Sequence, residues 1–173
     1  TNLSLPEVKP EDVDPSCDTA IVVITRDSGE GGDRKYDKGD YKFADDEIAL
    51  IKDINSKFSK LIVLLNVGGV MNAIELKEIP GINAIVNVSQ LGNIGGNIVA
   101  DALIGLVEPS GRLTDTWAKS YEDYPNWQNF SHNNGDVLDE FYYEGIYVGY
   151  RYFDSFDIEP LYPFGYGLGY SSH

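Results

Sequence analysis

Cysteine and histidine are nearly missing from this chain of 173 residues, and several kinds of chemistry go with them. The single Cys17 excludes a disulfide within the chain and cannot build a thiolate metal site, so it is expected to be an inert, buried or half-buried thiol. His132 lies in a polar, Asn-rich stretch and His173 is the last residue, so neither belongs to a ligand cluster and no metal is expected. With no Gly-x-Ser-x-Gly elbow and one internal imidazole, a serine or cysteine hydrolase has little support. No run approaches the roughly 18 apolar residues of a membrane helix. The start, Thr1-Asn2-Leu3-Ser4-Leu5-Pro6, has neither a basic nor an apolar leader region, so no targeting signal is expected; the compartment stays open, because a mature secreted chain has already lost its leader. Positive charge is scarce as well. With 13 basic against 28 acidic residues the formal net charge is -15, which disfavours nucleic acid and anionic membrane as partners and leaves neutral sugars unopposed. Most of this acidity reads as solubility, including Glu11, Asp12 and Asp14 and the group Asp45, Asp46 and Glu47.

What is present is an alternation of strands and helices. Thr19 to Arg26, Lys60 to Val67 and Ile82 to Val88 read as buried strands. Between them Asp45 to Phe58 reads as a helix, with Ile48, Ile51, Ile54 and Phe58 near helical spacing and three acids at its positive end. A short helix is expected around Met71 to Leu76, and another opening at Gly95-Gly96 and closing at Gly105. This rhythm predicts an α/β fold with a mostly parallel sheet flanked by helices. The turn Gly92-Asn93-Ile94-Gly95-Gly96 lacks the G-x-G-x-x-G spacing and follows the third strand instead of opening a β-α-β unit, so no dinucleotide, and no cofactor of any kind, is expected. Tight packing of the helix end on the sheet accounts for those glycines.

The first strand runs directly into Ser28-Gly29-Glu30-Gly31-Gly32-Asp33-Arg34. Glycines free the backbone for close approach to a ligand, and ligands of α/β sheets gather at the carboxyl ends of strands. A carboxylate there is placed to meet a substrate; a plain surface turn with solvated charges is the competing reading.

Four further motifs follow in order: Ala100-Asp101-Ala102-Leu103-Ile104-Gly105, Glu108-Pro109-Ser110-Gly111-Arg112-Leu113-Thr114-Asp115-Thr116-Trp117, Tyr143-Glu144-Gly145-Ile146-Tyr147-Val148-Gly149-Tyr150-Arg151-Tyr152-Phe153-Asp154, and Pro160-Leu161-Tyr162-Pro163-Phe164-Gly165-Tyr166-Gly167-Leu168-Gly169-Tyr170. From about Ala20 to Tyr170 the chain resembles the second domain of glycoside hydrolase family 3, the β-glucosidase-like enzymes. The resemblance implies an α/β sandwich that packs against a separate barrel domain, with the active site between them. It places the general acid/base on Glu30 and matches Asp33 and Arg34 to the end of the loop motif, where they hold the loop by an ion pair or contact the sugar. The implied nucleophile is an aspartate of the barrel, which 173 residues cannot supply here.

The resemblance thus describes half of a retaining β-glycosidase acting on β-linked glucosides or oligosaccharides, with the barrel on another chain or removed, and with this chain alone inactive. The alternative is a noncatalytic sugar-binding or interaction module of the same fold. Residues 1–18 read as an irregular segment with Pro6, Pro10 and Pro15, residues 19–140 as the sandwich, apparently incomplete at its start, and residues 141–173 as a tail packed across it. That tail carries 8 of the 12 tyrosines. Aromatic faces suit sugars, which makes Trp127 or Tyr142 a candidate subsite wall, but packing of these rings across the sheet is the better account of each and none is assigned a sugar.

Overall fold

The structure, a computed structural model, describes residues 14, 16–26, 33–130, 136, 138–139 and 141–171. Apolar β-branched runs form three strands: β1 (Thr19–Thr25), β2 (Lys60–Asn66) and β3 (Ile82–Asn87). Between β1 and β2 lies α1 (Asp45–Lys57), whose first turn holds Asp45, Asp46 and Glu47 and whose last turn holds Lys57, both favourable to the helix dipole. The short α2 (Ile74–Glu78) leads to β3, three residues later than the sequence suggests. After β3 comes α3 (Gly95–Leu103); it stops where Gly105 takes φ +77° and the Leu106 amide reaches back to the Asp101 carbonyl at 2.8 Å, a left-handed cap that favours glycine. A single turn at Tyr121–Asp123 and the short α4 (Tyr150–Ser155) complete the described elements.

All strand pairing is parallel, in the order β1-β2-β3. Successive side chains of a strand point to opposite faces, and the two faces of this sheet fare differently. Val22, Ile24, Leu61, Val63 and Leu65 join Phe43, Ile51, Leu76 and Trp117 in one buried cluster. On the other face Ile21, in register with Ile62, is 50% exposed, and Val23, in register with Leu64, is 39% exposed. The tail reaches the core through Leu161, and Tyr162 packs against it. Backbone bonds clasp it to the 113–117 segment, from the Trp117 amide to the Tyr162 carbonyl (2.9 Å) and from the Leu113 amide to the Tyr166 carbonyl (2.9 Å).

Three expectations need correction. Cys17 is exposed, because it sits in the turn before β1, its amide bonded to the Asp14 carbonyl, and not in the strand. Gly95 is buried for a local reason: a Cβ there would meet the Leu91 side chain of its own loop, whereas Gly96 faces open space, so packing of the helix end on the sheet does not explain the pair. Glu47 is no solvated acid; it is held by a buried arginine, as described below.

The outer edge of β1 has no neighbouring strand among the described residues, and the apolar face beside it is open. Unpaired edges and contiguous apolar patches promote association. The chain on its own is therefore expected to self-associate as concentration rises. Sedimentation equilibrium that returns a single monomeric species at high concentration contradicts this.

Candidate active-site edge

Residues 27–32, with Glu30, lie outside the described residues, but the chain on both sides of them is held in detail. On the β1 side stands Arg26, 7% exposed. Its Nη1 and Nη2 donate to Glu47 Oε1 (2.7 Å) and Oε2 (2.6 Å), a two-point fork. Nε donates to the Asp40 carbonyl at 2.8 Å, and Nη1 also to its neighbour, the Thr25 carbonyl, at 2.7 Å. Glu47 is occupied twice over, because its Oε2 also accepts from the Ala44 amide (2.8 Å) and so closes the first turn of α1. On the far side stands Arg34. Its Nη2 donates to the same Asp40 carbonyl at 2.8 Å, its Nε to Asp40 Oδ1 at 2.9 Å, and its Nη1 to the Val70 carbonyl at 2.6 Å. Two guanidinium groups thus meet on one carbonyl oxygen.

The location follows from the sheet. Arg26 follows the carboxyl end of β1, and Val70 lies just beyond the carboxyl end of β2. Bridging Asp40 and the Val70 carbonyl, Arg34 is itself held at the sheet edge at which α/β proteins hold ligands. The ion-pair partner of Arg34 is Asp40, and Asp33 is exposed.

Asp40 is the hub. Partial burial pulls its carboxyl upward, but the Lys35 amide on Oδ2 (2.6 Å), the bond and charge of Arg34 and the charge of Arg26 together hold it below its ordinary 3.8. A lowered carboxyl lends stability that is complete well above its unfolded pKa and fades as pH falls through the folded value. The clamp is thus expected to be intact at neutral pH and to loosen only below 3.8. A carbon-detected NMR titration of the Asp40 carboxyl checks this, and a midpoint at or above the ordinary value refutes the clamp's electrostatics.

Beside the clamp lies a cluster of aromatic rings. Tyr36 stacks on Tyr121 (centroids 4.3 Å apart, planes at 20°) and carries Lys42 Nζ 3.5 Å from its ring centroid. Tyr41 is buried, and burial first, then Tyr124, push its phenol well above the ordinary value, so it stays neutral. Trp127 meets Tyr121 edge-on at 6.4 Å; Phe130 is half exposed and Tyr142 is 89% exposed. Asp40, Arg26 and Glu47 are the residues that sequence reasoning passed over. The available signal was Arg26 itself, a charge at the end of an otherwise apolar buried strand, which requires an anionic partner. Among the described residues no group of three His, Cys, Asp or Glu gathers as for a metal, and no helix is long and apolar enough to cross a membrane.

A parallel sheet flanked by helices, with Arg26 and Arg34 clamped on Asp40 at its carboxyl edge, defines a domain of the α/β class. Residues 8–170 match the model of the glycosyl hydrolase family 3 C-terminal domain, and the chain belongs to that family. It is similar to β-glucosidase A of Butyrivibrio fibrisolvens, 38% identical over 98% of this chain and 23% of the relative. It is also similar to a β-glucosidase of Ruminococcus albus, 41% identical over 90% of this chain and 16% of the relative. Among solved structures, β-glucosidase 3B from Thermotoga neapolitana in complex with glucose superposes with a TM-score of 0.84 at 43% identity, covering 90% of this chain and 22% of that one. The chain therefore spans under a quarter of the length of these relatives.

Proposed function

We propose that this chain supplies the acid/base half of a retaining β-glycosidase that hydrolyses β-linked glucosides or oligosaccharides. The observation that carries the reading is the clamp at the sheet's carboxyl edge, where Arg26 and Arg34, which flank the undescribed residues 27–32 in sequence, both donate to the Asp40 carbonyl, in a chain of the family-3 C-terminal domain. Glu30 is the acid. It gives its proton to the glycosidic oxygen while a carboxylate about 5 to 5.5 Å away attacks the anomeric carbon. Glu30, now a carboxylate, then takes a proton from water as that water releases the sugar with its original configuration. Packing of this domain against the partner domain strips water from Glu30 and raises its pKa, which favours the acid form. The attacking carboxylate belongs to a barrel domain outside this chain. Arg34 positions the loop through Asp40, and Asp33 is free to reach the sugar.

The names of the similar proteins support the glucoside assignment, since those relatives are β-glucosidases. Alone, the chain is expected not to turn over an aryl β-glucoside; mixed with a polypeptide carrying the barrel it is expected to restore turnover. Robust hydrolysis by the chain alone overturns the two-domain reading. A mixture that assembles and binds glucose but stays inert favours the noncatalytic module.

A further inference from the structure

Beyond Tyr162 the tail becomes a strap that lies outside the core. Leu161 is buried and Tyr162 packs on the same cluster, but Gly165 then turns the chain at φ +79°. Tyr166, Leu168 and Tyr170 are all exposed, so apolar burial does not hold residues 165–171 in place. Polar groups do. At the near end the Gly165 amide donates to the Leu113 carbonyl (2.8 Å) and the Leu113 amide donates to the Tyr166 carbonyl (2.9 Å). At the far end one carboxylate does the fastening: Glu108 Oε1 accepts from the Tyr170 amide (2.6 Å) and from the Ser171 amide (3.3 Å). Between these points the strap runs close to its neighbour. A Cβ at Gly167 would meet the Gly111 carbonyl oxygen at 2.7 Å and Arg112 Cδ at 2.8 Å, and one at Gly169 would meet Glu108 Oε1. Such an approach of backbone to backbone leaves room for glycine alone.

α3 is fastened to the same strap. Gly95 is its one buried residue, and Ile98, with Ile104 and Leu106 just past its end, is exposed. The Tyr170 hydroxyl donates to the Ala102 carbonyl at 2.7 Å, and among the described residues this is the one side-chain hydrogen bond that joins α3 to a distant part of the chain. Glu108 stands three residues after the Gly105 cap of α3, so both fasteners close between the same two segments. Ala102, Glu108 and Tyr170 all lie outside the buried cluster on the sheet. Segments with little buried apolar surface and exposed hydrogen bonds open locally, at a lower free energy than the domain unfolds.

We infer that α3 and the strap 165–171 secure each other through Glu108 and Tyr170, and that they detach together as one local opening while the sheet core stays closed. The latch is independent of the glycosidase reading. It gives the domain two positions, and any partner that binds one of them better shifts the balance toward it.

Amide hydrogen exchange of the full 173-residue chain, followed by mass spectrometry at low concentration, tests this. Residues 98–107 and 166–171 are expected to exchange at a common rate, well ahead of residues 61–66 in β2. Glu108→Ala removes the carboxylate and is expected to speed both stretches by the same factor, about tenfold, with residues 61–66 unchanged. Tyr170→Phe keeps the ring and loses the hydroxyl, and is expected to speed the same two stretches by a smaller common factor. Gly167→Ala pushes the strap away without touching either fastener and is expected to act on both stretches as well. Glu108→Gln keeps an acceptor oxygen and is expected to recover most of the protection, which a mere need for bulk at that position does not explain. Should Glu108→Ala fail to fold, Tyr170→Phe deletes a single oxygen from an exposed residue and carries the test. Exchange in both stretches that matches the parent in Glu108→Ala and Tyr170→Phe overturns the latch. A strap that speeds up without α3 overturns the shared opening. Acceleration of residues 61–66 by the same factor makes the effect global and overturns the closed core.

Discussion

Replacing Glu30 by glutamine in the assembled enzyme is expected to slow hydrolysis of cellobiose, or of an alkyl β-glucoside, by about 10²- to 10⁴-fold, the usual worth of general acid/base assistance. Glutamine keeps the shape of the side chain and cannot cycle a proton. The loss therefore scales with how badly the leaving group needs one. An activated aryl leaving group departs unaided, so its first step survives the substitution; release of the sugar by water still needs a base, and a glycosyl-enzyme is expected to accumulate. Azide attacks without a base. Adding it is expected to restore turnover and yield a β-glycosyl azide, the product of two inversions. Mass spectrometry of the intact protein detects the accumulated intermediate, and NMR of the product fixes its configuration. Should Glu30→Gln depress all substrates alike, with no response to azide, Glu30 holds the loop or the sugar and the acid/base assignment is wrong.

The sheet was readable because its strands are apolar runs with glycine or polar breaks, and burial enforces those boundaries on any sequence of this pattern. The structured part of α1 was equally plain, since Ile48, Ile51 and Ile54 repeat at helical spacing and acids crowd its start. What escaped was everything that depends on two distant segments meeting. Glu47 looked like one acid among three at a helix end, and only the arrival of Arg26 from the end of β1 turns it into a buried partner. Asp40 lay in a stretch of alternating charges with no periodicity. Its importance comes from a backbone oxygen, which no side-chain motif encodes, accepting from two arginines. Arg34 was legible as a motif residue and its position on the sheet edge was not, because its third anchor is the carbonyl of Val70, far along the chain.

The clamp makes its own demand on stability, and Arg26→Met tests it. Methionine fills much of the same volume, so the change removes charge and donors more than it opens a cavity. Left behind are the Glu47 carboxylate, with 23% of its side chain exposed, and the carbonyls of Thr25 and Asp40, each short of one donor. Breaking a buried pair from one side typically costs about 3–5 kcal/mol, against a total of about 5–15 kcal/mol for a domain. The expected result is a chain that remains folded at room temperature with its urea midpoint cut sharply, followed through Trp117, which is 3% exposed and sits in the core cluster. Glu47→Leu added to Arg26→Met removes the stranded charge, and apolar replacements of both partners are often nearly neutral. Here recovery is expected to be incomplete. The Asp40 and Thr25 carbonyls still lack Arg26, and the Ala44 amide loses the oxygen that caps α1. Arg26→Lys separates charge from geometry, since an ammonium satisfies Glu47 but cannot also span the carbonyls that the guanidinium fork reaches. A stability for Arg26→Lys equal to the parent makes the pair a simple charge contact. A loss closer to that of methionine identifies the fork as what closes the loop's shoulder on Asp40.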